Sequence, residues 1–189
     1  ESREEGHEIM EILVKNFKTY CYTNSQEIDP GKKSILFIHG SGMDHTVWTL
    51  AARHFARRGN NVISVDLPAH GRSAGSALAS IEEMAEWSRY LLTEVNVEQV
   101  AIVGHSLGSL IALECAASFP DRVRSIAMVG TTCPMPVSHA ILDAAKANDH
   151  SAFDMLTQWG FSKRNQFGGN RNSGIWMTGN VLRLYERSQ

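Results

Sequence analysis

The stretch Val100-Ala-Ile-Val-Gly-His-Ser-Leu-Gly-Ser-Leu-Ile-Ala-Leu113 decides how the rest of this 189-residue chain is read. Val100 to Val103 is a short apolar run, suited to a strand buried on both faces. It passes into Gly104-His105-Ser106-Leu107-Gly108, and a helical pattern follows with no linker between. Strand, one sharp turn carrying a serine, then helix is the context in which G-x-S-x-G forms a nucleophile elbow. Such a turn holds Ser106 in a strained backbone conformation. The strand and helix then approach so closely that the residues two before and two after the serine must be small, as Gly104 and Gly108 are. The Ser106 hydroxyl is left exposed at a strand's carboxyl end and a helix's positive end, where a developing oxyanion is stabilised.

Working outward, Ser34 to Ile38 and Val62 to Val65 are two more short apolar runs, predicted as buried strands. The first ends in His39-Gly40-Ser41-Gly42, the second in Asp66-Leu-Pro-Ala-His-Gly-Arg-Ser73. Between them Val47, Leu50, Ala51, His54 and Phe55 have helical spacing, which predicts a helix from Thr46 to Arg58 with Gly59 at its C-cap. Ser80 and Glu83 form a capping box for a helix from Ile81 to about Glu94. The elbow helix runs to Ala117, and Arg124 to Gly130 is predicted as one more buried strand. At the front, Glu11 to Val14 and Phe17 to Thr23 alternate in the strand period, and Asp29-Pro30-Gly31-Lys32 is a turn. Strand–helix alternation predicts an α/β fold, a mostly parallel sheet flanked by helices, whose ligands bind outside the carboxyl ends of the strands.

Composition narrows the function classes. Apolar residues make up 43% and charged residues 20%, ordinary values for a soluble globular protein with one sizeable core. The formal net charge is -2 and no block of basic residues stands out, so neither nucleic acid nor a membrane surface is the expected partner. Cys21, Cys115 and Cys133 are too scattered for a disulfide framework or a metal site, and an odd count fits a reducing compartment. The first ten residues are polar and acidic, unlike a signal peptide, and no apolar run is long enough to span a membrane. A cytoplasmic location is the expectation. With no metal cluster and no nucleotide-binding loop in the sequence, no cofactor is expected either.

Three motifs in this order, His39-Gly-Ser-Gly-Met-Asp-His-Thr-Val-Trp48, Asp66-Leu-Pro-Ala-His-Gly-Arg-Ser73 and Gly104-His-Ser-Leu-Gly108, resemble the sequential signatures of the α/β-hydrolase fold superfamily. The resemblance covers about Phe17 to Gly130, and it implies a serine-nucleophile, esterase-like member with Ser106 as nucleophile. An oxyanion hole needs two backbone N–H groups aimed at one point. Leu107, next to the nucleophile, supplies one, and the resemblance assigns the other to Ser41. The implied pocket is lined by Gly40, Gly42, Met43, His105, Thr131 and Met135, and 131–189 takes the place of a helical cap on a core spanning 1–130. Within that cap, Val137 to Ala147, Ala152 to Phe161 and Ile175 to Arg187 read as helices, and Lys163 to Ser173 as a loop. His39 and His70 are expected to hold loops by hydrogen bonds, and Asp66 to cap structure rather than act as a catalytic acid. His105 is expected to point away from the reacting hydroxyl.

The family's chain order places an acid and then a histidine after the serine, on loops following further strands. No β-type run follows Gly130. Asp143, Asp149, Asp154, Glu186, His139 and His150 all fall in or beside helical segments and are expected to be solvated. The final strands, the acid and the base are therefore expected beyond this sequence, leaving these 189 residues inactive alone and inclined to associate through an open sheet edge. The expected function is cleavage of a small carboxylic ester or related acyl compound. The alternatives are a non-catalytic ligand-binding protein or scaffold, or a cofactor-free perhydrolase or C–C hydrolase on the same fold. Serine at position 106 argues against dehalogenases and epoxide hydrolases, which carry aspartate there.

Overall fold

β3 (Ser34–Ile38) and β4 (Asn61–Val65) are buried at every position, which is what an unbroken apolar run between two helical layers requires. The computed structural model describes residues 10–161 and 177–187. The acidic start before Met10 and the expected loop from Lys163 to Ser173 lie outside the described residues. β1 (Met10–Val14) and β2 (Phe17–Tyr22) form the opening antiparallel hairpin, and β2 pairs antiparallel with β4. From there the sheet is parallel: β4 with β3, β3 with β5 (Val100–His105), and β5 with β6 (Val123–Val129). The spatial order is β1-β2-β4-β3-β5-β6. The register sets Ile38 opposite both Val65 and Gly104, and His105 opposite Val129, so the carboxyl ends of the four parallel strands lie side by side.

Successive strand residues face opposite layers. Leu36, Ile38, Ile63, Val65 and Ile102 pack with Trp87 and Leu91 of α2 (Ile81–Glu94) and Ile111 and Cys115 of α3 (Leu107–Ser118). Ile35, Phe37 and Val62 face the other way, onto Ala52 and Ala56 of α1 (Thr49–Ala56). Each fully buried aliphatic side chain of this kind contributes about 1.5–3 kcal/mol. The predicted capping box is present in altered form. Ser80 Oγ accepts from Glu83 N at 3.1 Å, but the Glu83 carboxylate accepts from Ala79 N at 2.9 Å rather than from the cap residue's own amide.

Two expectations change. The helix expected from Thr46 splits: Asp44 accepts from Thr46 N at 2.9 Å and starts a tight 3₁₀ turn, His45–Trp48, before α1 begins. The expected buried strand 124–130 is exposed along most of its length, because β6 is the last strand of the sheet among the described residues. A strand composed for burial on both faces stands uncovered there.

By its contacts the chain divides into two compact units, Glu1–Cys133 and Pro134–Gln189. The second holds α4 (His139–Lys146), α5 (Ser151–Trp159) and α6 (Met177–Glu186). Its helices meet through Phe153 and Tyr185, whose rings stack with centroids 6.0 Å apart. No strand follows β6 among the described residues. No described helix is long and apolar enough to cross a membrane.

Candidate active site

Ser106 stands between β5 and α3 with φ 51°, in the left-handed region, a conformation that costs a non-glycine residue about 1–3 kcal/mol. Four hydrogen bonds hold it there. Ser106 N donates to Val129 O at 2.9 Å, and Ser109 N donates to Ser106 O at 2.9 Å. The buried Ser109 hydroxyl donates to Gly104 O at 2.7 Å and accepts from Val129 N at 3.2 Å. The helix is thus pinned to both neighbouring strands. A methyl group on Gly104 would overlap the backbone of Gly108 and Ser109, and one on Gly108 would overlap the carbonyls of Ile38 and His39. The two glycines are therefore required by close approach, as the motif implied.

The loop after β3 folds over this turn. Gly40 is buried, and a Cβ there would lie 3.3 Å from Ser106 Cβ and 2.8 Å from His105 Nδ1. Ser41 is exposed, Gly42 is half-buried with φ 67°, and Met43 is buried, its N–H donating to Gly40 O at 3.2 Å. His39 Nδ1 donates to Gly40 O at 2.7 Å while its Nε2 accepts from Leu67 N at 3.0 Å, partners that assign the tautomer. Burial pushes the His39 pKa down to about 4, so the ring is neutral. His70 Nδ1 donates to Pro68 O at 3.0 Å, and its Nε2 accepts from Gly42 N at 3.4 Å. Both histidines are fasteners between the loops after β3 and β4.

Asp66, fully buried at the end of β4, accepts from His45 N at 2.7 Å, His45 Nδ1 at 2.9 Å and Arg72 N at 2.9 Å. Burial alone would raise its pKa. The hydrogen bond from the His45 ring, that ring's charge and the two backbone N–H groups outweigh burial and hold the carboxyl below its ordinary value. Asp44, His45 and Asp66 offer donor atoms within 4.8 Å of one another. Asp66 and the His45 ring are already partnered with each other, and Asp44 caps the following turn, so the group reads as a loop clasp rather than a cation cage. Sequence reading missed this clasp, because His45 and Asp66 meet only through the parallel pairing of β3 and β4.

The His105 ring lies against two glycines from different strand ends: a Cβ on Gly40 would stand 2.8 Å from its Nδ1, and one on Gly130 (φ 61°) 3.1 Å from its Nε2. Nδ1 is buried with no partner, and burial lowers the pKa, so the ring sits there uncharged. Leu107 opens α3, and Thr131 is half-buried after β6. Met135 belongs to the second unit. Among the described residues no side chain hydrogen-bonds Ser106 Oγ. His150 is occupied elsewhere, by Asp154 at 3.4 Å and Glu186 at 3.1 Å, and Asp149 accepts from Ser151 N at 2.8 Å. His139 and Asp143 are exposed on α4. Cys21 and Cys115 are buried thiols whose pKa burial raises, to about 12 for Cys115, which leaves them unreactive.

The fold that carries this turn has counterparts among known proteins. A family model described as the alpha/beta hydrolase fold matches residues 33–174. The chain belongs to that family. Among alpha/beta hydrolase relatives, it is 31% identical over 119 residues to an (E)-2-((N-methylformamido)methylene)succinate hydrolase of Acinetobacter baylyi, matching 62% of this chain and 43% of that protein. It is 30% identical over 111 residues to a pimeloyl-[acyl-carrier protein] methyl ester esterase of Proteus mirabilis, matching 57% of this chain and 40% of that protein. Among solved structures, an N-acyl homoserine lactone degrading enzyme superposes on 94% of this chain and 65% of its own, with TM-score 0.76 at 22% identity, a likeness of fold. The match spans less than half the length of these curated relatives.

Proposed function

We propose that this chain carries the nucleophile half of a serine hydrolase acting on a small carboxylic ester or related acyl compound. The observation that supports this best is Ser106 itself: a strained serine at a strand's end, with no described side chain using its hydroxyl. A binding module has no need of that strain. In the reaction, Ser106 Oγ attacks the acyl carbon and gives its proton to a general base, which then protonates the departing alcohol as the C–O bond breaks. Leu107 N–H and Ser41 N–H are the proposed donors to the oxyanion. Water then attacks the acyl-enzyme, its proton passing through the same base, and frees the acid and Ser106. No described side chain hydrogen-bonds the Ser106 hydroxyl, so in this reading the base and its orienting acid come from residues other than those described.

A fluorophosphonate probe tests the assignment on the full-length natural protein that contains this chain. Labelling confined to Ser106 and abolished by Ser106→Ala supports it. Labelling that survives this substitution, or none at all beside an authentic esterase control, refutes it.

A further inference from the structure

The sequence has no acidic residue between His45 and Val65, and α1 gathers the bases of that stretch onto one face. Leu50, Arg53, His54, Arg57 and Arg58 line a shallow groove of about 460 Å³. At 3.6 residues per turn these positions share the side of α1 opposite Ala52 and Ala56, which are buried against the sheet. None of the three arginines has a carboxylate partner among the described residues, and Arg58 turns its guanidinium onto the His54 ring instead. Leu50 is 81% exposed in their midst. The macrodipole of α1 favours cations in its last turn, which accounts for one or two of them. It does not account for a bare leucine framed by arginines that have no carboxylate partner among the described residues.

We propose that this face of α1 docks an acidic helical segment of a protein partner. Arginine and an exposed apolar anchor are the pairing enriched in protein interfaces, and guanidinium forks take carboxylates in bidentate geometry. Arg53 and Arg57 lie one turn apart, about 6 Å along the axis, so the matching partner carries carboxylates at i and i+4 on a helix. Charge locality favours a compact acidic segment over an extended polyanion. The patch covers only two helical turns of a chain whose formal net charge is -2. A short helix with carboxylates one turn apart spans the whole patch within a screening length of about 8–10 Å.

The experiment uses the whole polypeptide and a fluorescein-labelled, alanine-based helical peptide with glutamates at i and i+4 and a leucine between, read by anisotropy. Binding is expected at low salt and lost at about 0.5 M salt. Arg53→Glu with Arg57→Glu is expected to weaken it about tenfold or more, while Lys32→Glu with Lys33→Glu, the same charge change elsewhere, leaves it intact. If the reversal variant fails to fold by circular dichroism, Arg53→Gln with Arg57→Gln takes its place with the same expectation. Absence of binding, equal loss in both pairs of variants, or tighter binding to phosphatidylglycerol vesicles or duplex DNA than to the peptide overturns the proposal.

Discussion

Ser109 Oγ donates to Gly104 O at 2.7 Å, so a side chain in the first turn of α3 ties that helix back to the strand that delivers the nucleophile. The same oxygen accepts from Val129 N, and the Ser106 amide reports to the Val129 carbonyl. One buried hydroxyl therefore links β5, β6 and the strained turn. Ser109→Ala removes it without adding volume and leaves buried polar groups short of a partner. A loss of about 1–3 kcal/mol is expected, measured by urea unfolding, together with slower probe labelling of Ser106 in the folded fraction.

Adding a methyl at the elbow has a larger effect. Gly104→Ala or Gly108→Ala pushes a Cβ into backbone that no rotamer change relieves. Overpacking typically costs about 1–3 kcal/mol, more where backbone must move. Either variant is expected to exceed Ser109→Ala in destabilisation and to lose Ser106 labelling. Gly59→Ala serves as the comparison: its φ of 80° adds strain, but a Cβ there meets nothing within 4 Å.

The Asp66 clasp predicts acid sensitivity. The folded-state pKa is lowered, so its stabilisation is complete above the ordinary carboxyl value of 3.8 and is lost as pH falls through the lower folded value. Asp66→Asn keeps the shape but removes the charge from a buried site with three N–H donors. Leaving buried donors short of a full partner costs about 1–3 kcal/mol. The difference between wild type and variant, followed by thermal melting, should narrow at strongly acid pH.

His150 runs the other way. Its contacts with Glu186 first and Asp154 second raise its pKa above 6.5, so the contribution is present below 6.5 and disappears as pH rises through the raised value. The ring is exposed, so the effect is modest and screened by salt. Replacing His150 with Gln should lower the melting temperature at pH 5.5 and leave it unchanged at pH 8.5. An equal change at both values would rule out titration as the cause.

What the sequence disclosed and what it hid have separate physical origins. The elbow was legible because its requirements are local: apolar strand, small–x–Ser–x–small, helix, all within Val100 to Leu113. α2 was legible from its caps. The His45–Asp66 clasp, the Ser109 link to β6 and the seat of His105 against Gly40 and Gly130 join residues from different strand ends, and only sheet register brings them together. The basic face of α1 stayed hidden because Arg53, Arg57 and Arg58 are spaced for a helix and make no run along the chain. The composition of β6 suits burial, whereas its exposure depends on what stands beside it, which is why the sequence reading gave both a buried strand and an open edge.

That edge carries the last prediction. Among the described residues, β6 pairs on one side only, with β5, and leaves its other row of N–H and C=O groups open. Met128 is 37% and Val129 44% exposed along it. An uncovered apolar strand edge is a template for a second chain. The 189-residue polypeptide expressed alone is therefore expected to self-associate, with a concentration-dependent mass in light scattering. Ala127→Lys, at an exposed position of the same strand, places charge on the edge as natural edge strands do and should shift the mass toward monomer. A wild-type sample that stays monomeric at high concentration, with a single cooperative melt, would show that the β6 edge is satisfied within the chain.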